Sequence, residues 1–239
     1  RKQLQRRIMK SPKITSRTFR NKRLIQERYK KYRVSESVPQ ELLPVDEEAL
    51  ALMMSDPKEG PTGIEADENH VYFYSQVGEK EALELIRLIR RLDIEMSYLA
   101  NRLGLNKNPP IHLYIHSPGG DVFSGLSICD AIDACKTDVY TYIEGSAASA
   151  ATLIASRGKK RFMNKRSFML VHQPQMIWAG KHDEFLDEIE NQKHIFNAVK
   201  DVYLDTCKID EEKLVELLRH ELWLPAEKCL EYGFIDKII

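Results

Sequence analysis

The chain has 239 residues, with 36 Lys+Arg against 36 Asp+Glu and 43% apolar residues. That length buries a sizeable core and leaves room for one ordinary domain plus an appendage. The aliphatic content excludes wholesale disorder, and the lack of any run of ~18 apolar residues excludes a membrane-spanning helix. The four cysteines (Cys129, Cys135, Cys207 and Cys229) form no CxxC pair. This argues against a zinc site and against a disulfide framework, and for reduced thiols in a cytoplasmic-type compartment.

The zero net charge hides an asymmetry. Residues 1–34 carry 14 Lys/Arg and one acid, Glu27, for a net of +13, so the remaining residues carry −13. This is a basic arm joined to an acidic body. The arm lacks the apolar core of a secretory signal. Its Arg-rich, acid-poor composition also suits an organelle address, a removable pro-segment, a solvated tail or an arm that binds an acidic partner. Its few aromatics (Phe19, Tyr29, Tyr32) do not support specific nucleic-acid binding. Weak helical character spans about residues 17–33. Residues 35–68 turn acidic and carry Pro39, Pro44, Pro57, Gly60, Pro61 and Gly63, a linker composition with one short helix at 45–54.

From Asn69 the pattern becomes regular. HVYFYS (70–75) alternates as a strand does. Leu85, Ile89, Leu92, Met96 and Leu99 make one apolar face of a helix over 79–101. IHLYIH (111–116) is a strand closed by SPGG, followed by a helix over 122–135. VYTYIEG (139–145) is a strand and SAATLIAS (149–156) a helix, with Gly158 at its C-terminal end. SFMLV (167–171) is a short strand. A long charged helix covers 182–206, and shorter ones cover 210–220 and 225–232. Strands alternating with helices predict right-handed crossovers and an α/β fold.

Two strand-to-helix junctions carry chemistry. Ser117-Pro118-Gly119-Gly120 lets backbone N–H groups approach a ligand closely, although a tight turn explains it as well. Gly145-Ser146-Ala147-Ala148-Ser149-Ala150-Ala151 places a serine at the first turn of a helix. Ser149 is there either a helix cap or a nucleophile whose oxyanion is held by backbone amides. A nucleophile needs a base, and His172 ends an apolar strand before Gln173-Pro174. The other histidines (His70, His112, His116, His182, His194, His220) sit in strand or polar contexts.

Four motifs in order, SPGGDVFSGLSICDAI, GSAAS, MLVHQP and AEKCLEYGFID, resemble the proteolytic subunit of the Clp protease over residues 69–239. The resemblance implies a crotonase-like α/β fold of repeated β-β-α units with an extended terminal helical region. It also implies a serine endopeptidase with Ser149 as nucleophile and His172 as general base. The amides of Gly120 and Ala150 fall on the oxyanion hole. Glu221, in HELWL, aligns with the family's aspartate, and Asp205 and Asp210 are the alternatives for that third position. Residues 1–68 form the arm and linker, beyond the usual short N-terminus of the family.

No metal or organic cofactor is implied. The implied partners are unfolded polypeptides, further copies of the chain in stacked heptameric rings, and an ATP-driven unfoldase, since the chain has no GxxxxGK[ST] of its own. No specific nucleic acid and no membrane are implied. The expected location is the cytoplasm, with an organelle or a virus-associated setting also compatible with the arm. Three rivals keep part of this picture: a crotonase-type acyl-CoA enzyme, a catalytically silent subunit of a mixed ring, and a viral capsid-maturation protease of the same chemistry.

Overall fold

The computed structural model describes residues 63–175 and 181–239. The basic arm, the linker up to residue 62 and the helices expected near 17–33 and at 45–54 lie outside the described residues. The fold opens on a hairpin, β1 (Ile64–Asp67) with antiparallel β2 (His70–Phe73). Strand β1 falls on the linker side of the boundary expected at Asn69. It has no alternation to betray it: three of its four residues are exposed at the sheet edge.

Helix α1 (Glu79–Leu103) follows, so the first unit has the β-β-α order. Its apolar stripe buries Ala82, Leu85, Ile89 and Leu92, and Gly104 ends it in the left-handed conformation at φ 63°. Leu99, expected on the buried face, is exposed, and the buried position in the last turns of α1 is its neighbour Ala100. Strand β3 (Ile111–Ser117) runs parallel to β2 and leads to α2 (Val122–Asp133). Asp121 caps α2, its carboxylate accepting from the Ser124 amide at 2.7 Å. Strand β4 (Val139–Ala148) is parallel to β3 and feeds α3 (Ala150–Ser156), a helix buried at every position.

Gly158, expected as a helix C-cap, does a different job. Arg157 caps α3 in the ordinary right-handed conformation, and a Cβ on Gly158 would lie 2.2 Å from the Thr141 hydroxyl. Glycine is needed there for close approach.

Three more strands escape the sequence reading because each is short. They are β5 (Lys160–Met163), β7 (Trp223–Pro225) and β8 (Lys237–Ile238), and they join β6 (Phe168–Leu170), which was expected. The sheet order is β1-β2-β3-β4-β5-β8, with β6 on β4 and β7 on β6. The C-terminal region supplies α4 (His182–Leu204), α5 (Glu211–Leu218) and α6 (Ala226–Tyr232). Along β3 buried and partly exposed residues alternate, so one face of the sheet carries the apolar core. The other face carries a plate of rings, with His70 on His112, Tyr114 on Tyr142 and Tyr142 on Phe162, all at centroid distances of 4.6 to 4.8 Å.

The C-terminus is clasped to β5 by charge. Arg161 is buried, and its guanidinium donates to both oxygens of Asp236 (3.1 and 2.7 Å) and to the Thr206 carbonyl (2.9 Å). Burial opposes ionisation of Asp236, but the hydrogen bonds and charge of Arg161 outweigh it and hold the carboxyl below its usual range. Asp236→Ala strands a buried cation, and a destabilisation of about 2 kcal/mol is expected in denaturant titrations. That figure is discounted because the carboxylate is partly exposed. The Asp236 contribution is present above the unfolded pKa of Asp and fades as pH falls through the depressed folded value. The gap between wild type and Asp236→Ala should therefore close in acid.

Candidate active site

The junction after β4 is a sharp turn. Ser149 sits at φ 52° and ψ −128°, a region that serine rarely occupies and that costs roughly 1–3 kcal/mol. It is held there from three sides. Its amide donates to the Leu170 carbonyl at 2.8 Å, and its carbonyl accepts from the Thr152 amide at 2.9 Å. The small neighbours Ala147, Ala148, Ala150 and Ala151 let the turn sink into the core, each at most 5% exposed. The Ser149 hydroxyl makes no helix-cap bond and takes part in no hydrogen bond among the described residues. The turn thus presents a strained serine whose hydroxyl is uncommitted, and the capping role does not apply.

The SPGG turn is pressed against it. Gly119 has φ 84°, and a Cβ there would lie 2.4 Å from the Ala148 carbonyl oxygen and 2.7 Å from the Ser149 Cβ. Gly120 bridges to Val77. That bridge uses the Gly119 carbonyl and the Asp121 amide, both with Val77, and takes nothing from the Gly120 N–H. The Ala150 N–H, first in α3, has no acceptor within its own helix. Two uncommitted amides therefore flank the serine.

Strand register brings the other candidates in. Strand β6 is parallel to β4 with Ala148 beside Leu170, and antiparallel to β7 with Leu170 opposite Trp223. Two residues further on, the first pairing carries the chain after β6 past Ser149. The second sets His172 across from Glu221. The His172 Nδ1 lies 3.5 Å from the Glu221 Oε1. The imidazole side chain is 15% exposed and the carboxylate 74%, so the acid approaches from the solvent side. The Gln173 amide donates to the Leu218 carbonyl (2.8 Å) and anchors the chain just past the histidine to the end of α5.

The alternatives for the third member are occupied elsewhere. Asp205 pairs with Arg157 at 3.4 Å, and Asp210 caps α5 by accepting from the Lys213 amide. The competing histidines are also accounted for. His70 and His112 stack in the aromatic plate and bond to the hydroxyls of Tyr114 and Tyr142. Burial, with His70 alongside, pushes the His112 pKa down. His116 lies 2.9 Å from the Glu144 carbonyl, and His182, His194 and His220 are solvent-exposed.

A cleft of about 530 Å³ opens next to these turns, lined by Val122, Phe123, Pro174, Gln175, Glu188 and Ile195 among others. Neither Ser149 nor His172 lines it. Its walls begin two residues beyond Gly120 and His172, so it adjoins the reactive turns.

The model of the Clp protease family matches residues 66–239. The chain belongs to the Clp protease family. The ATP-dependent Clp protease proteolytic subunit of Streptococcus sanguinis is 37% identical over 134 residues, 54% of this chain and 68% of that protein. Its counterpart in Streptococcus suis is 34% identical over 151 residues, 60% of this chain and 76% of that protein. A solved ClpP1 mutant from Listeria monocytogenes superposes with a TM-score of 0.62, covering 72% of this chain and 92% of that one at 23% identity, which speaks for the fold. As a member of the Clp protease family the chain is a serine-type endopeptidase, and its α/β architecture is that of the family.

Sequence reasoning missed the work of Gly119. Both glycines of SPGG look alike in sequence, and only the packing shows which one touches the serine turn. Gly119→Ala would force a Cβ into the Ala148 carbonyl and the Ser149 side chain at a φ that alanine resists. The expected outcome is a folded protein, judged by circular dichroism, whose peptide hydrolysis falls ~100-fold or more, since a shift of about 1 Å at the reacting groups costs that much.

Proposed function

We propose that this Clp protease family member cuts peptide bonds of unfolded polypeptides inside an oligomeric chamber, using Ser149, His172 and Glu221 as its triad. The observation that carries this reading is the strained Ser149 with its uncommitted hydroxyl, on a strand whose neighbour leads straight to His172. With Nδ1 turned to Glu221, the imidazole offers Nε2 to the serine. His172 takes the Ser149 proton as the hydroxyl attacks the substrate carbonyl carbon. The amides of Gly120 and Ala150 receive the negative oxygen that forms. His172 then gives the proton to the leaving amine, and a water, activated by the same nitrogen, releases the acyl group. Glu221 orients the ring and stabilises its cationic form.

Assembly follows the same reading. The subunit forms homo-oligomers in stacked heptameric rings, and an ATP-driven unfoldase feeds them. The relatives named as ATP-dependent proteolytic subunits support this, as does the lack of a phosphate-binding loop in this chain. Among the described residues no helix is long and apolar enough to cross a membrane, and the cytoplasm is the proposed location. The residues before β1 are proposed as an arm and linker attached to the catalytic domain, which includes β1 and so begins a few residues before Asn69. Nothing observed favours a silent ring subunit or a capsid-maturation role.

A fluorophosphonate should label Ser149 alone, and Ser149→Ala should abolish both labelling and peptide hydrolysis without changing oligomer mass. Retained hydrolysis in Ser149→Ala would remove the triad reading. Glu221→Gln should lower kcat on the order of 100-fold or more, because the neutral amide holds the imidazole less firmly in its working tautomer. Because the Glu221 carboxylate is exposed, wild-type kcat should fall with added salt, while Glu221→Gln should be insensitive. A wild-type rate in Glu221→Gln would take the role away from Glu221.

A further inference from the structure

One buried hydrogen-bond chain ends on the serine turn and is not used by the mechanism above. Thr152, three residues into α3, places its hydroxyl 2.6 Å from the Ser149 carbonyl oxygen and donates to it. The same Thr152 oxygen lies 2.6 Å from the hydroxyl of Tyr203, in the last turn of α4 and 51 positions away in sequence. Thr152 has one hydroxyl proton, and it goes to Ser149. The Tyr203 O–H must then be the donor to Thr152. Tyr203 is 1% exposed, packed edge-on against Phe234 at 5.6 Å. Its burial raises the phenol pKa, so the phenol keeps its proton throughout the working range.

A helical threonine often bonds back to a carbonyl one turn earlier. Two features make this case different. The carbonyl belongs to a residue in a strained conformation, and the threonine oxygen is itself held by a second hydroxyl from a distant element. Hydrogen bonds in such a series polarise one another and strengthen.

The chemistry follows from one peptide plane. The Ser149 carbonyl and the Ala150 N–H belong to the same planar trans unit, so they point in opposite directions. Fixing the carbonyl fixes the amide. The Thr152 amide and hydroxyl both grip that carbonyl, at 2.9 and 2.6 Å. We infer that Thr152 and Tyr203 are positioning residues: the chain Tyr203 O–H to Thr152 O–H to Ser149 C=O aims the Ala150 N–H at the developing oxyanion. This deepens the triad reading and rests on it. It also ties the serine peptide to α4, whose earlier turns supply Glu188 and Ile195 to the adjoining cleft.

The test uses the full chain and a short fluorogenic peptide. Thr152→Val keeps the shape and removes the hydroxyl; Tyr203→Phe removes only the donor to it. Thr152→Val is expected to lower kcat ~10-fold or more with KM unchanged, a fraction of the ~100–1000-fold seen when an oxyanion donor is lost outright. Tyr203→Phe should lower kcat less, and Thr152→Ser, which keeps the hydroxyl, should restore it to within about 3-fold. A peptide aldehyde, whose tetrahedral adduct places an oxygen on the Ala150 amide, should lose affinity in Thr152→Val by the same factor as kcat/KM, while a peptide lacking the aldehyde should not. Wild-type kcat in both Thr152→Val and Tyr203→Phe, with Ser149→Ala inactive, would overturn the inference and leave the triad intact. Equal loss of both peptides, or loss tracking a fall in oligomer mass, would also overturn it, because the pair would then serve packing alone. If Thr152→Val does not fold, Tyr203→Phe decides by the same criteria. Hydrolysis surviving in Ser149→Ala would instead strike the triad reading, and the inference with it.

Discussion

The site depends on strand β4 changing partners halfway along one edge. Its first half pairs with β5, from Tyr140 beside Lys160 to Ile143 beside Met163. Its last three residues pair with β6. A strand edge has one row of hydrogen-bonding groups, so the exchange needs a gap and something to fill it. Gly145, at φ 74°, makes the gap. The buried Ser167 hydroxyl fills it, accepting from the Gly145 amide at 2.8 Å and donating to the Ile143 carbonyl at 3.1 Å. Without the exchange β6 would not lie beside the end of β4, and His172 would not follow Ser149 into the same corner.

A second constraint is steric. The SPGG turn and the serine turn approach until a single methyl would not fit, at Gly119 against Ala148 and Ser149. The run of alanines around Ser149 serves the same end, because any larger side chain would push α3 away from α2. Gly125 shows this directly, since a Cβ on it would lie 3.1 Å from the Ala150 Cβ. Small residues at this crossing let the SPGG turn, the serine turn and the start of α3 pack backbone against backbone. The Val77 bridge satisfies the residues on either side of Gly120 and leaves the Gly120 amide over.

The two ends of the proposed triad differ in how firmly they are built. Ser149 is locked by backbone hydrogen bonds in the core. Glu221 reaches His172 from solvent across 3.5 Å, at the end of a three-residue strand pairing. The β6–β7 pairing ends at Leu170 opposite Trp223, and the chain just beyond that pair on each strand brings His172 and Glu221 together. A carboxylate so exposed is open to screening by salt, which the buried serine turn is not.

By itself the sequence determined the fold class, the order of the strand-helix units and the serine and histidine motifs. These are local properties: apolar periodicity marks α1 and β3, and glycine and alanine runs mark the two turns. Glu221 was legible only through the resemblance of HELWL to a family segment; composition around it carries no signal. Tertiary structure decided the rest. Strands β1, β5, β7 and β8 are too short to show a period, and Arg161 in β5 reads as an exposed cation until Asp236 pairs with it from 75 residues away. The tie between Tyr203 and Thr152 joins two helices 51 positions apart, and nothing at either position hints at the other. Local conformation is set by neighbours in the chain, which a sequence displays. Which hydroxyl meets which carbonyl in a core is set by how the helices pack, and that is seen only once they have packed.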